Sequence, residues 1–115
     1  MADARLRQLT IKTGVVKRLA KERIVCGKEV LTEEKRLAKF RSEGADEHVL
    51  NKQQEVIQEC LMMIPDTLRR LSKEYEALNK FLQEEVDLKE TKEYEAAALV
   101  LADAKDVIDK EENIN

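Results

Sequence analysis

Catalysis has almost nothing to stand on in this chain. His48 is its one imidazole, and it stands among polar residues close after Gly44. A solitary histidine there lacks the partners that would tune it as an acid, base or ligand, so it reads as a solvated side chain. The acidic pairs Glu84-Glu85 and Glu111-Glu112 are neighbours on helical stretches; they point apart and do not converge on one atom. Cys26 and Cys60 are too few and too widely spaced for a metal cluster, and two reduced thiols are expected where no secretory signal is seen. There is no glycine-rich phosphate loop. No catalytic residue, metal ligand or cofactor site is assigned, and the expectation is a protein that is not an enzyme.

What remains is the chemistry of contact. With Leu61 at an a position of a heptad and Ile64 at d, Met62 and Met63 fall at b and c, facing away from the helix seam. Methionine is flexible and polarisable, which suits a surface that must adapt to its partner. The competing reading is that a third helix, or a distortion at Pro65, buries the pair. Asp66, Arg69 and Arg70 follow on the next turn; they can form a polar rim around such a surface or bridge one another. Lys17, Arg18 and Lys21 supply a second set of candidates, a basic face for an acidic protein partner.

These residues must be positioned by long helices. The second apolar stripe reads Leu50, Gln54, Ile57, Leu61, Ile64, Leu68, Leu71, Tyr75, Leu78, Leu82 and then Glu85, with spacings of four and three throughout. Pro65 interrupts it without breaking phase. A proline there removes one backbone hydrogen bond and crowds the preceding turn, at a cost of ~3 kcal/mol or more, so a kink is expected. An earlier stripe comes as doublets, Val15-Val16, Leu19-Ala20, Ile24-Val25, Val30-Leu31 and Leu37-Ala38, wide enough to touch two neighbours. A third periodic segment carries Tyr94, Ala97 or Ala98, Leu101, Ala104 and Ile108 on one face.

Start and stop signals fit this division. Asp3, Asp46 and Thr91 are candidate caps, and Gly44 ends the first helix. The expectation is a single all-α domain over residues 1–115, an elongated three-helix bundle with two long antiparallel coiled-coil helices and a shorter third. The helices are placed at about 4–42, 46–86 and 91–109, with a frayed tail at 110–115. At 39% charged and 3% aromatic, the composition supports helices and disfavours strands.

Charge is unevenly spread. Residues 1–43 hold 12 Lys and Arg against 6 Asp and Glu, a net of +6, whereas the remainder holds 9 against 18, a net of −9. The simplest consequence is attraction between the first helix and the rest. With an overall charge of −3 and four aromatic residues, the chain offers neither the field nor the stacking platforms that nucleic acid requires. Its longest apolar run, Ala96 to Ala102, falls well short of the ~20 residues of a membrane span. A soluble intracellular protein is expected.

Several stretches also resemble one family. Ile11-Lys12-Thr13-Gly14-Val15-Val16-Lys17-Arg18-Leu19 with Lys21-Glu22, then Met62-Met63-Ile64-Pro65-Asp66 with Arg69-Arg70-Leu71, resemble tubulin-binding cofactor A. Lys52-Gln53-Gln54-Glu55 and Glu93-Tyr94 extend the likeness over nearly the whole chain. The resemblance implies a three-helix bundle that captures β-tubulin after its release from the cytosolic chaperonin and holds it for the other tubulin-folding cofactors. It implies no nucleotide or metal, and a cytoplasmic, cytoskeleton-associated protein. Where the family usually has Ser-Arg before Met-Met and Cys-Gln after Pro-Asp, this chain has Cys60-Leu61 and Thr67-Leu68. Two added seam leucines should strengthen the hairpin or promote self-association, leaving monomer and homodimer both open. The alternative function is a structural coiled-coil adaptor or dimerisation module.

Overall fold

Asp3 opens the first helix by accepting a hydrogen bond from the Arg5 amide at 2.9 Å, and Asp46 opens the second by accepting from Val49 at 3.0 Å. Thr91 does the same for the third, its hydroxyl accepting from the Tyr94 amide at 3.1 Å and donating to the Leu88 carbonyl at 2.7 Å. Each cap satisfies a backbone donor that the first turn of a helix leaves free. The computed structural model describes the backbone of residues 3–114 and the side chains of residues 3–111. Its helices are α1 (Ala4–Ser42), α2 (Glu47–Glu84) and α3 (Lys92–Ile114), with one 3-10 turn at Val86–Leu88.

Gly44 stops α1 as its position predicts. Its φ of 74° lies in the left-handed region, and the amides of Gly44 and Ala45 return to the carbonyls of Arg41 and Phe40 at 3.1 and 2.9 Å. That pairing closes the helix and turns the chain back. The result is an antiparallel α1/α2 hairpin with α3 laid alongside, 65 × 30 × 17 Å overall.

The helix ends differ from expectation at two places. Helix α2 stops at Glu84, short of Val86, because the chain turns there to bring Leu88 into the core at 5% exposure. The polar look of Asp87 to Thr91 concealed that anchor. Helix α3 continues to Ile114, past Asp109 and through most of the segment expected to be a tail; Asn115 lies outside the described residues. Val107 and Ile108 pack on the core, and Glu111 pairs with Arg23 of α1, which holds this last stretch.

The core is built where all three helices run together. Leu9, Val16, Leu19 and Ala20 of α1 meet Leu71, Leu78 and Leu82 of α2, and Ala97, Leu101 and Ala104 of α3. Ala97 and Ala104 are fully buried; their small side chains let α3 approach closely. The Tyr94 hydroxyl donates to the Leu82 carbonyl at 3.1 Å and ties α3 to α2.

Helix α3 covers only part of α1. Its 23 residues span ~34 Å, against ~58 Å for the 39 of α1, so the hairpin tip is a two-helix arm. This explains the doublets. Leu19 and Ala20 are both buried between two neighbours, but farther along Val30 faces α2 and is buried while Leu31 is 59% exposed.

The seam of that arm differs from the one read in the sequence. The buried row on α2 is Gln53, Ile57, Thr67 and Leu71, with Cys60 and Ile64 partly covered. Ile57, Ile64 and Leu71 belong to both rows, but Gln53, Cys60 and Thr67 replace Gln54, Leu61 and Leu68. Leu61 is 39% exposed and Leu68 is half-buried, so neither is a central seam residue. A straight helix drifts ~20° per heptad against a strict seven-residue repeat, and the small side chains at Cys60 and Thr67 leave room for α1. Gln53 secures the register, its amide donating to the Glu33 carbonyl and carboxylate at 2.9 and 2.7 Å.

At the opposite end Arg5 gathers three carboxylates. It reaches Asp3 at 2.7 Å, Glu85 at 2.7 Å and Asp87 at 2.9 Å, joining the start of α1 to the α2/α3 link. Hydrogen bonds from the guanidinium hold the Asp3 and Asp87 carboxyls below their ordinary value and push the Arg5 pKa up.

Candidate protein-binding surface

Helix α2 runs through Pro65 from Glu47 to Glu84. Having no N–H, Pro65 cannot donate to the Leu61 carbonyl one turn earlier. Pro65 and Leu61 are both exposed, so water can reach the freed group. That placement explains how a proline is accommodated in the middle of a long helix.

The same turn presents Met62 and Met63 outward, at 74% and 53% exposure. Leu61 joins them, giving three consecutive large apolar side chains on the surface. The four-three spacing predicts Leu61 in the seam; the unbroken run Leu61-Met62-Met63 is the sign in the sequence that one helix turn carries apolar residues beyond its buried face. Below the patch, Asp66 is bridged by Arg69 at 3.3 Å and by Arg70 at 3.1 Å. These exposed pairs hold the two arginines along their own helix, and each is worth little to stability.

The basic candidates of α1 divide between two sides. Arg18 and Lys21 border a groove of about 360 Å³ between α1 and α2, with Val25, Met63 and Thr67 in its lining. Met63 therefore links the methionine patch to this basic edge. Lys17 lies on the α3 side, lining a larger groove with Ala96 and Leu99; Lys21 borders both grooves. Lys17 and Arg18 thus line different grooves, and Lys21 stands between them. None of the three makes an ion pair among the described residues.

The remaining polar groups do not converge. His48 is exposed on the first turn of α2. Cys26 and Cys60 are free thiols, and burial pushes the Cys60 thiol up, with the nearby Glu29 and Glu33 carboxylates adding to the effect. A raised thiol pKa means less thiolate and lower reactivity. Among the described residues no group of three or more His, Cys, Asp or Glu is placed to hold a metal ion, and no helix is long and apolar enough to cross a membrane.

Fold and site together define an elongated three-helix bundle whose distinctive chemistry is an exposed apolar patch beside charged rims. Known proteins share this fold. The family model for tubulin binding cofactor A matches residues 4–101. Human tubulin-specific chaperone A is 48% identical over 105 residues, covering 91% of this chain and 97% of that one. The solved structure of human tubulin chaperone cofactor A superposes with a TM-score of 0.75 at 46% identity, over 88% of this chain and 98% of its own. The crystal structure of tubulin folding cofactor A from Arabidopsis thaliana gives 0.81 at 38% identity, over 90% and 97%. The chain belongs to the tubulin binding cofactor A family.

Proposed function

We propose that this protein is a tubulin-folding chaperone that captures β-tubulin after its release from the cytosolic chaperonin and holds it, without catalysis, for later cofactors. The observation that carries the reading is the Leu61-Met62-Met63 patch, three consecutive large apolar side chains exposed to water. A cluster of exposed large apolar side chains marks an interaction surface, and flexible methionines fit a client whose own surface is incompletely packed. The family name supports tubulin as the class of client, and β-tubulin is the form proposed.

The mechanism is stoichiometric. Binding one client state shifts its population away from aggregation by mass action, to an extent set by the concentration of the binder relative to its dissociation constant. No bond is made or broken. Met62, Met63 and Pro65 form the apolar centre of the surface. Asp66, Arg69, Arg70, Arg18 and Lys21 form its charged rim, which acts mainly on approach and specificity. Such a protein works in the cytoplasm beside the microtubule cytoskeleton.

The test is retention. The purified protein, incubated with tubulin freshly released from chaperonin, is expected to co-elute with β-tubulin in preference to α-tubulin. Equal retention of both, or of neither, would overturn the proposal. The exposure of Leu61 also favours a second reading, a coiled-coil dimerisation module whose function is the pairing itself. Sedimentation separates the two, since a dimerisation module is a stable dimer at micromolar concentration and loses that state in Leu61→Ser.

A further inference from the structure

A second surface lies where α1 and α3 run side by side, on a face that α2 does not reach. The groove there has a volume of about 750 Å³ and is lined by residues of α1 and α3 alone. Its apolar lining includes small Ala20 and Ala96 with Ile24 and Leu99, which are 47% and 70% exposed. Neither of those two large side chains is needed by the core, which α3 builds from Ala97, Leu101 and Ala104.

The two walls carry opposite charge. Lys17 and Lys21, one turn apart, line the α1 side, and Asp103 and Asp106 line the α3 side. Asp106 is shared with Lys110 at 3.3 Å, whereas Lys17, Lys21 and Asp103 make no ion pair among the described residues. From Ala96 to Lys110 the groove extends ~21 Å, the length of about four helical turns. Arg23, paired with Glu111, closes it at the end where α3 finishes.

We infer that this groove binds an amphipathic α-helix of a partner protein, with an apolar stripe between one acidic flank and one basic flank. A helix fits because its stripe can interleave with Ile24 and Leu99 while Ala20 and Ala96 admit its backbone, so that it packs as the fourth member of a bundle. Charge complementarity defines the occupant. An acidic flank meets Lys17 and Lys21, a basic flank meets Asp103 and Asp106, and a helix charged alike on both flanks satisfies one wall while opposing the other. The charges also set direction, since reversing the helix exchanges its flanks. This surface meets the one that carries the methionine patch only at Lys21, which borders both grooves.

Four-turn helical peptides with leucines at positions 1, 5, 8 and 12 test the inference. One carries glutamates on one flank and lysines on the other; two controls carry lysines only or glutamates only. Fluorescence anisotropy at low salt is expected to show the mixed-flank peptide binding the full-length protein at least about tenfold more tightly than either control. Amide shifts should centre on Ile24 and Leu99. Leu99→Asp, at an exposed position, should abolish binding while circular dichroism shows helicity near wild type, whereas Met62→Ser with Met63→Ser should leave binding intact. Equal affinity for all three peptides, binding that survives Leu99→Asp, or shifts centred elsewhere would overturn it. So would sedimentation showing that a second copy fills the groove, with a dimer that Leu99→Asp dissolves.

Discussion

Met63 and Thr67 lie one turn apart on α2, joined by a hydrogen bond from the Thr67 hydroxyl to the Met63 carbonyl at 2.9 Å, yet Thr67 is buried and Met63 is 53% exposed. The boundary between hairpin seam and free surface passes between them. Thr67 can enter the seam because its only polar group is already satisfied within the helix. Met63 is then rotated to the edge, where it borders the groove of Arg18 and Lys21.

Replacing both Met62 and Met63 with serine should therefore leave the fold nearly untouched. Exposed substitutions usually stay within ~0.5 kcal/mol each, so the thermal midpoint should change little. Retention of β-tubulin should fall substantially. A large loss of stability in thermal unfolding would show that the pair is buried in solution.

The displaced seam makes a sharper stability prediction. Leu71 is fully buried, and Leu71→Ala should cost ~2–5 kcal/mol by lost burial and the cavity left behind. Leu61→Ala should cost under ~1 kcal/mol, because 39% of its surface is already in water. Urea unfolding of both variants checks the register. Comparable losses would restore Leu61 to the seam.

Much of this was legible in the chain itself. Asp3, Asp46 and Thr91 each cap where their position predicts, since a cap depends only on residues within one turn. The outward direction of Met62 and Met63 follows from one correct shared row, Ile57, Ile64 and Leu71. The other row was ambiguous: positions 53, 60 and 67 keep the same four-three spacing as 54, 61 and 68, and only the place where α1 docks decides between them. Lys17 parts from Arg18 for the same kind of reason. Their separation depends on α3, whose position beside α1 no local pattern specifies.

That separation can be tested by charge reversal. Arg18→Glu alters the edge next to Met63 and should slow β-tubulin association and reduce its salt sensitivity. Lys17→Glu alters only the α1/α3 side and should leave β-tubulin capture near wild type while weakening the mixed-flank peptide. Stopped-flow association at two ionic strengths distinguishes them. Identical effects of the two reversals on capture would mean that the basic residues act as one field.

Acid should loosen the end of the molecule held by Arg5. Asp3 and Asp87 have their pKa lowered in the folded state from the ordinary 3.8, chiefly by hydrogen bonds from Arg5. The unfolded chain then binds protons more readily than the folded one in this range, so stability falls as pH falls. The contribution is fully present above about pH 5 and is lost progressively below about pH 4, as pH passes the folded-state values. Thermal unfolding between pH 7 and pH 3 should show this loss in the wild type and a shallower one in Arg5→Gln. Parallel slopes would remove Arg5 from the account.

Pro65 offers the test that joins fold to function. If its ring and missing hydrogen bond merely burden α2, Pro65→Ala should stabilise the protein by up to ~3 kcal/mol, with β-tubulin capture unchanged. The position of Pro65 argues for a different outcome in capture. It shares an exposed face with Leu61, whose carbonyl it leaves without an intrahelical donor, and the next two side chains after Leu61 are the exposed methionines. Closing that hydrogen bond draws the turn tighter and shifts the methionines relative to the groove of Arg18 and Lys21. The expected result is a higher thermal midpoint together with weaker β-tubulin binding, read by calorimetry and by co-elution on the same preparation. Stabilisation without loss of binding would assign Pro65 no part in the surface.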